Sequence, residues 1–196
     1  MKLCGLTGGV GMGKSTAAGF LSELGARVVD TDELAHELVQ PGQPALAEIQ
    51  REFGNQSVAA DGSLNRGELA KRVFADAAAR KKLEAILHPR IRERWQARVD
   101  FLRKENCPLA LVVIPLLFET AAESAFDKII CIACSPASQR ERLLARGWSA
   151  KQIQGRIAAQ LPVGQKMARA HFVIWTEGAL EVHRQQIERI RAKLCS

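Results

Sequence analysis

Residues 8–15 read Gly8-Gly9-Val10-Gly11-Met12-Gly13-Lys14-Ser15, a complete Gly-x-x-x-x-Gly-Lys-Ser loop, and no other feature constrains the chain so tightly. A loop that wraps a polyphosphate needs backbone angles closed to residues with a Cβ, and it must bring several N–H groups against anionic oxygens. Lys14 carries a mobile positive charge to the outer phosphates, and the Ser15 hydroxyl stands where a Mg²⁺ ion would be coordinated. The flanks agree. Residues 2–6 form a short apolar run of buried-strand character, and residues 15–24 carry apolar side chains at helical spacing. Strand, loop and helix in this order set the positive end of a helix dipole at the anion site. A glycine-rich turn that merely joins strand to helix is the plainer alternative, and the Lys-Ser pair argues against it.

A chain of 196 residues can bury one sizeable core, with room for small inserted lobes. The longest apolar stretch, residues 109–118, contains Pro115 and is too short to span a bilayer. The chain runs from Met1 straight into the loop and leaves no room for a removable leader, so a cytoplasmic location and no membrane partner are expected. Cys4, Cys107, Cys131, Cys134 and Cys195 are odd in number and scattered, so disulfides are not expected. Cys131 and Cys134 form a C-x-x-C inside an apolar run with no second ligand pair, which reads as two buried small residues. The net charge of +7 admits nucleic acid, an anionic surface or small polyphosphates as partners. Basic residues without interleaved stacking aromatics favour the last, and nucleic acid is not expected.

Apolar strand-like runs at residues 2–6, 26–29, 109–114, 128–133 and 171–175 alternate with helical patterns. That alternation predicts a three-layer α/β/α fold with a five-stranded, mostly parallel sheet. Residues 31–108 exceed a simple crossover and read as an inserted helical lobe, with breaks at Pro41-Gly42, Ala60-Asp61-Gly62 and His88-Pro89. Residues 146–170 are short, basic and punctuated by Gly147, Pro162 and Gly164, as a mobile lid would be. The core is then 1–30, 109–145 and 171–196, within one domain.

Ligands of open α/β sheets bind beyond the carboxyl ends of the strands, which brings Asp30 and Asp32 into consideration. Phosphoryl transfer to a hydroxyl needs a carboxylate for the departing proton and often a second near the metal. Asp32 is assigned the first task and Asp30 the second, with helix capping as the alternative for either. Arg142 and Arg146 lie four residues apart on a helix that Ser135-Pro136 would start, and share a face that could meet the triphosphate. Glu119 stands just past the third strand, where it could touch substrate or structure. His88 reads foremost as a packing residue. Both are kept as candidate substrate contacts.

The ordered set Gly5-Leu6-Thr7 with the loop through Thr16, Asp30-Thr31-Asp32, Pro41-Gly42, Leu87-His88-Pro89 and Pro115-Leu116-Leu117-Phe118-Glu119 resembles the dephospho-coenzyme A kinases over nearly the whole chain. The resemblance implies ATP-dependent phosphorylation of the ribose 3′-hydroxyl of dephospho-coenzyme A, giving coenzyme A and ADP. It implies a nucleotide core, a helical acceptor-binding lobe and a lid. By position the family's catalytic aspartate falls on Asp32, its loop lysine on Lys14, its loop-preceding threonine on Thr7 and its lid-side arginine on Arg142. Met12 stands in place of a common serine, and Trp175-Thr176-Glu177-Gly178 in place of a stretch that usually carries asparagine. The expected partners are ATP, Mg²⁺ and dephospho-coenzyme A, in a monomer or weak homo-oligomer. Two other readings are a kinase of another small hydroxyl acceptor and a nucleotide-gated RNA- or surface-binding protein.

Overall fold

A computed structural model describes residues 1–195, the side chain of Cys195 excepted. It divides into two compact units, residues 1–29 with 99–196 and residues 30–98.

The first unit is built on a five-stranded sheet in the order β2-β3-β1-β4-β5, comprising β1 (Lys2–Gly8), β2 (Arg27–Asp30), β3 (Leu109–Val113), β4 (Lys128–Ala133) and β5 (Phe172–Trp175). β1 runs parallel to both β3 and β4, and β5 runs parallel to β4. Strands buried on both faces read as near-continuous apolar runs, and β1, β3 and β4 are buried almost end to end. Alternate residues nevertheless serve different layers. Leu6, Leu111, Val113, Ile130, Ile132 and Ile174 join one core with Ala17 and Leu21 of α1 (Lys14–Glu23) and with Ile187, Ile190 and Leu194 from the C-terminal helix, Leu180–Cys195. The intervening Gly5 lies against Leu117 and Phe126, so the two faces are covered separately.

The chain leaves β1 toward β2 and later returns past β1, from β3 to β4. The carboxyl end of β1 is therefore the point where the sheet's connections change direction, the usual crevice of an open α/β sheet. The opposite edge is protected. The Gln186 amide accepts from the Trp175 N–H at 3.0 Å and donates to the Trp175 carbonyl at 2.9 Å, closing β5 as a further strand would.

The second unit is helical, with α2 (Thr31–Leu38), α3 (Pro44–Phe53), α4 (Arg66–Ala75) and most of α5 (Ala77–Lys104). Leu38, Ile49, Phe53, Leu69 and Ile86 form its core. Expected breaks occur at Gly42, which has φ 83°, and at the Asp61 turn, where the carboxylate accepts from Ser63 N and Oγ at 2.9 and 2.6 Å. Asn65 caps α4 by accepting from Glu68 N, as its position indicates. The break expected at His88-Pro89 is corrected by the structure, because α5 continues through Pro89. Proline removes one helix donor and disturbs the preceding turn. There the Arg90 guanidinium donates to the Ile86 carbonyl at 2.6 Å and reaches Glu48 at 2.5 Å, which ties the disturbed turn to α3.

The remaining helices belong to the first unit: α6 (Pro136–Ala145), α7 (Ala150–Ala158), α8 (Val163–Arg169) and α9 (Leu180–Cys195). No helix among the described residues is long and apolar enough to cross a membrane. Cys4, Cys107, Cys131 and Cys134 are buried and form no disulfide, so the C-x-x-C is part of the core. Cys195, whose side chain lies outside the description, is left aside.

His183 of α9 is 4% exposed, meets Phe20 of α1 edge-on, and has no hydrogen-bond partner for Nε2. Burial, and secondarily the Arg142 charge, lower its pKa from the ordinary 6.5. The folded state thus holds the ring neutral where the unfolded chain would protonate it. Stability should be full above about pH 6.5 and fall on acidification through that value, levelling off below the lowered folded pKa. Urea midpoints between about pH 7.5 and 5 should fall more steeply for the wild type than for His183→Leu. Parallel slopes would show that this ring is not responsible.

Candidate active site

The phosphate loop begins where β1 ends. Gly8 has φ 145° and pairs with Ile132, and a Cβ there would stand 2.2 Å from the Ile132 carbonyl oxygen. Gly13 has φ 92° and caps α1 in the left-handed region without a side-chain contact, turning the chain sharply into the helix. Backbone amides therefore lead into the helix N-terminus, with Ser15 and Thr16 exposed in its first turn. Lys14 Nζ donates back to the Gly8 and Gly9 carbonyls at 3.1 and 3.0 Å.

Three glutamine and threonine side chains brace the loop from other elements. The Val10 peptide is held at both ends, its carbonyl accepting from Gln139 Nε2 of α6 at 2.8 Å and its N–H donating to Gln160 Oε1 at 3.0 Å. Thr176, just past β5, donates to the Met12 carbonyl at 2.9 Å. The same hydroxyl accepts from Arg142 Nη1 at 2.8 Å, and Nη2 donates to the Thr176 carbonyl. Arg142 is thus half-buried and joined to the loop through one threonine. Arg146, one turn further along, is exposed at the end of α6.

Glu177 fixes the start of α6. Its carboxylate accepts from Ser135 N at 2.8 Å, Ser138 Oγ at 3.0 Å and Trp175 Nε1 at 3.2 Å. Hydrogen bonds from Ser135, first its side chain and then its amide, and from Ser138 hold this carboxyl down at about 2. The stretch that departs from the usual asparagine is a structural clasp between β5 and α6.

Thr7 is fully buried and donates to the Pro115 carbonyl at 3.2 Å, so its hydroxyl braces the strand ends. Glu119 Oε1 accepts from Leu161 N at 2.7 Å and pairs with Lys166 at 2.8 Å. It anchors the segment read as a lid. Within that segment α7 buries only Ile153, and its capping box of Ser149 and Gln152 makes it self-contained. Trp148 carries the Arg156 guanidinium over its ring at 4.3 Å.

In the helical unit, Asp30 Oδ1 accepts from Asp32 N at 2.8 Å and caps α2, leaving Asp32 exposed in the first turn. His88 is half-buried on α5. Burial lowers its pKa, with Glu84 opposing and Arg92 adding to the effect. A groove of about 310 Å³ on this unit is lined by Leu38, Gln43, Pro44, Arg90 and Arg94 among others.

Gln139, Gln160, Lys166 and Thr176 escape sequence reasoning. Each meets its partners across 34 to 164 residues, and no local spacing marks them.

The model of the family described as dephospho-CoA kinase matches residues 2–181. The chain belongs to the dephospho-CoA kinase family. Its relatives include the dephospho-CoA kinases of Anaeromyxobacter dehalogenans, 45% identical over 99% of this chain and 92% of the relative, and of Thiobacillus denitrificans, 44% identical over 96% and 93%. A Thermus thermophilus crystal structure superposes with a TM-score of 0.84 at 33% identity, covering 100% of this chain and 98% of that one. The dephospho-CoA kinase of Campylobacter jejuni does so with 0.73 at 26%, over 100% and 98%. A shikimate kinase of Acinetobacter baumannii, 17% identical with a TM-score of 0.55, shares the fold.

In this kinase Thr176 holds both the Met12 carbonyl and Arg142. Thr176→Val keeps the volume and leaves the Met12 carbonyl without that donor, a loss of roughly 1–3 kcal/mol. The Kd for ATP should rise by about tenfold, as read by equilibrium titration. Unchanged affinity would show that Arg142 and the loop are held independently.

Proposed function

We infer that the enzyme transfers the γ-phosphoryl group of ATP to the ribose 3′-hydroxyl of dephospho-coenzyme A, releasing ADP and coenzyme A, the last step of coenzyme A synthesis. The single observation that carries the chemistry is the amide-lined loop from Gly8 to Thr16 at the switch point of the sheet, with Lys14 beside it. Membership of the family carries the acceptor.

The transferred phosphoryl group passes through a loose transition state with charge spread over its oxygens, so catalysis is chiefly positioning and electrostatic stabilisation. On this reading the loop amides and Lys14 hold the β- and γ-phosphates. Lys14 gives up the Gly8 and Gly9 carbonyls in exchange for phosphate oxygens, which replaces two neutral acceptors of the ammonium by anionic ones and adds ion-pair attraction. Asp32 receives the proton of the ribose hydroxyl; its exposure in the first turn of α2, two residues past β2, suits it to meet an acceptor. Asp30 holds that turn through its cap. Arg142 and Arg146 neutralise charge on the phosphates, and their planar guanidinium groups suit several oxygens at once. Closure of the lid, read as residues 146–170, would exclude water, which otherwise competes as acceptor.

The donor set suits a Mg²⁺ that arrives with the nucleotide. No group of three or more His, Cys, Asp or Glu side chains capable of holding a metal exists among the described residues, and the Ser15 hydroxyl is exposed beside the loop. Magnesium takes few protein ligands and keeps waters and phosphate oxygens, so Ser15, with Asp30 further out, would hold it. When bound it supplies neutralising charge to the phosphates.

The helical unit is the acceptor lobe in this reading. Its groove combines apolar Leu38 and Pro44 with Arg90 and Arg94, a lining suited to a ligand with a pantetheine arm and a diphosphate. Buried thiols outside any disulfide and dependence on ATP fit a cytoplasmic setting. One chain supplies every group named, consistent with a monomer or weak homo-oligomer.

Two substitutions test the assignment. Asp32→Asn should lower kcat by about 10²- to 10⁴-fold with the Kd for ATP nearly unchanged. Lys14→Ala should abolish both ATP binding and turnover. Among small hydroxyl acceptors offered with ATP, dephospho-coenzyme A alone should accelerate ADP release. Normal turnover by Asp32→Asn removes that carboxylate from the role of base.

A further inference from the structure

Lys166 of α8 is fully buried. Its ammonium donates to the Pro115 carbonyl at 2.7 Å and pairs with Glu119 Oε1 at 2.8 Å, the carboxylate side chain being 20% exposed. Removing an ammonium from water costs several kcal/mol, repaid only when fixed partners meet it with good geometry. A packing role would be filled at lower cost by methionine or leucine. The charge therefore implies a function that packing alone does not explain.

Its partners connect it to the loop along two routes. The Pro115 carbonyl also accepts from Thr7 Oγ1, and Thr7 immediately precedes Gly8. Glu119 Oε1 also accepts from Leu161 N, and the preceding residue, Gln160, holds the Val10 N–H. Burial pushes the Cys131 thiol of β4 up to about 11, and the charges of Lys166 and Lys14 oppose that rise. α8 itself packs on β1 and β4. Residues 160–169 are accordingly fastened to the strand ends.

We propose that Lys166 is a positioning residue for the phosphate cradle: through Glu119 and Pro115 it fixes Gln160 and Thr7, and these hold the first half of the loop in its ATP-receiving shape. The proposal rests on the reading of residues 8–15 as the ATP site. Lys166 does not touch the nucleotide. It acts through two carbonyl or carboxylate partners and the backbone between Gln160 and Leu161. Its loss should therefore fall on ATP binding and leave the acceptor side alone.

The test is a double-mutant cycle on Lys166→Met and Gln160→Ala, read by equilibrium ATP titration, steady-state kinetics and circular dichroism below the thermal midpoint. Each single substitution should weaken ATP binding by about tenfold, and the pair should be scarcely weaker than either, because both break one brace. The KM for dephospho-coenzyme A at saturating ATP should stay within about twofold of wild type. Should Lys166→Met fail to fold, Glu119→Gln replaces it in the cycle, since it keeps the volume and an acceptor for Leu161 while removing the charge that holds Lys166. A lowered thermal midpoint with ATP affinity within about twofold of wild type would overturn the proposal, as would losses that simply multiply in the double variant. Lys14→Ala separates the two levels. If it binds ATP normally, the loop assignment itself fails; if it loses ATP while Lys166→Met does not, only the brace fails.

Discussion

Everything at this site depends on how closely β1 and β4 approach where the loop begins. At Gly8 the Ile132 carbonyl oxygen occupies the space of a side chain, 2.2 Å from where a Cβ would be. The loop must start from a bare backbone at that point, and the next residues are free to curl only because Gly11 and Gly13 accept positive φ. The cradle is thus a consequence of strand packing as much as of loop composition. The order β3-β1-β4 then matters for chemistry, because it puts neighbours on both sides of the strand that delivers the phosphates' binding groups.

A backbone cradle has no rigidity of its own, and this protein supplies it from side chains. Gln139, Gln160 and Thr176 come from α6, from the segment before α8 and from the turn after β5, and each takes one peptide group of the loop. Hydrogen bonds of this kind contribute about 1 kcal/mol each to stability. Their larger effect is to restrict the loop before the ligand arrives, so that less ordering remains to be done on binding. Glu177 belongs to the same design one step out, since it holds the end of α6 that carries Gln139 and Arg142.

What could be read from the sequence divides along a physical line. The phosphate loop, the five strands, the start of α6 at Ser135-Pro136 and the burial of the C-x-x-C are encoded over a few neighbouring residues, and the fold follows from them. Local punctuation misled at Pro89, where Arg90 and Glu48 sustain a helix that the proline alone would have ended. Thr7 and Glu119 were legible as residues near the strand ends, yet their engagement with Pro115, Leu161 and Lys166 depends on tertiary pairing. Lys166 is the clearest case. A lysine in a basic, proline-interrupted stretch reads as solvated surface, and only the packing of α8 on the sheet makes it interior.

Two of the three cations that the proposed function assigns to the phosphates, Lys14 and Arg142, have partners inside the protein. Lys14 is held by two carbonyls of its own loop and Arg142 by Thr176. On the proposed reading, binding ATP would exchange hydrogen bonds and not simply add them. Neutral acceptors would give way to anionic oxygens, which add ion-pair attraction to the hydrogen bond. The exchange favours the ligand without requiring either cation to remain exposed and hydrated beforehand. For Arg142 it has a further consequence, since the guanidinium is bound to the residue that also holds the Met12 carbonyl. On the proposed reading, a shift of the arginine toward phosphate would alter the hydrogen bonding of Thr176, and through it the loop, so that a single hydroxyl would couple nucleotide arrival to loop geometry.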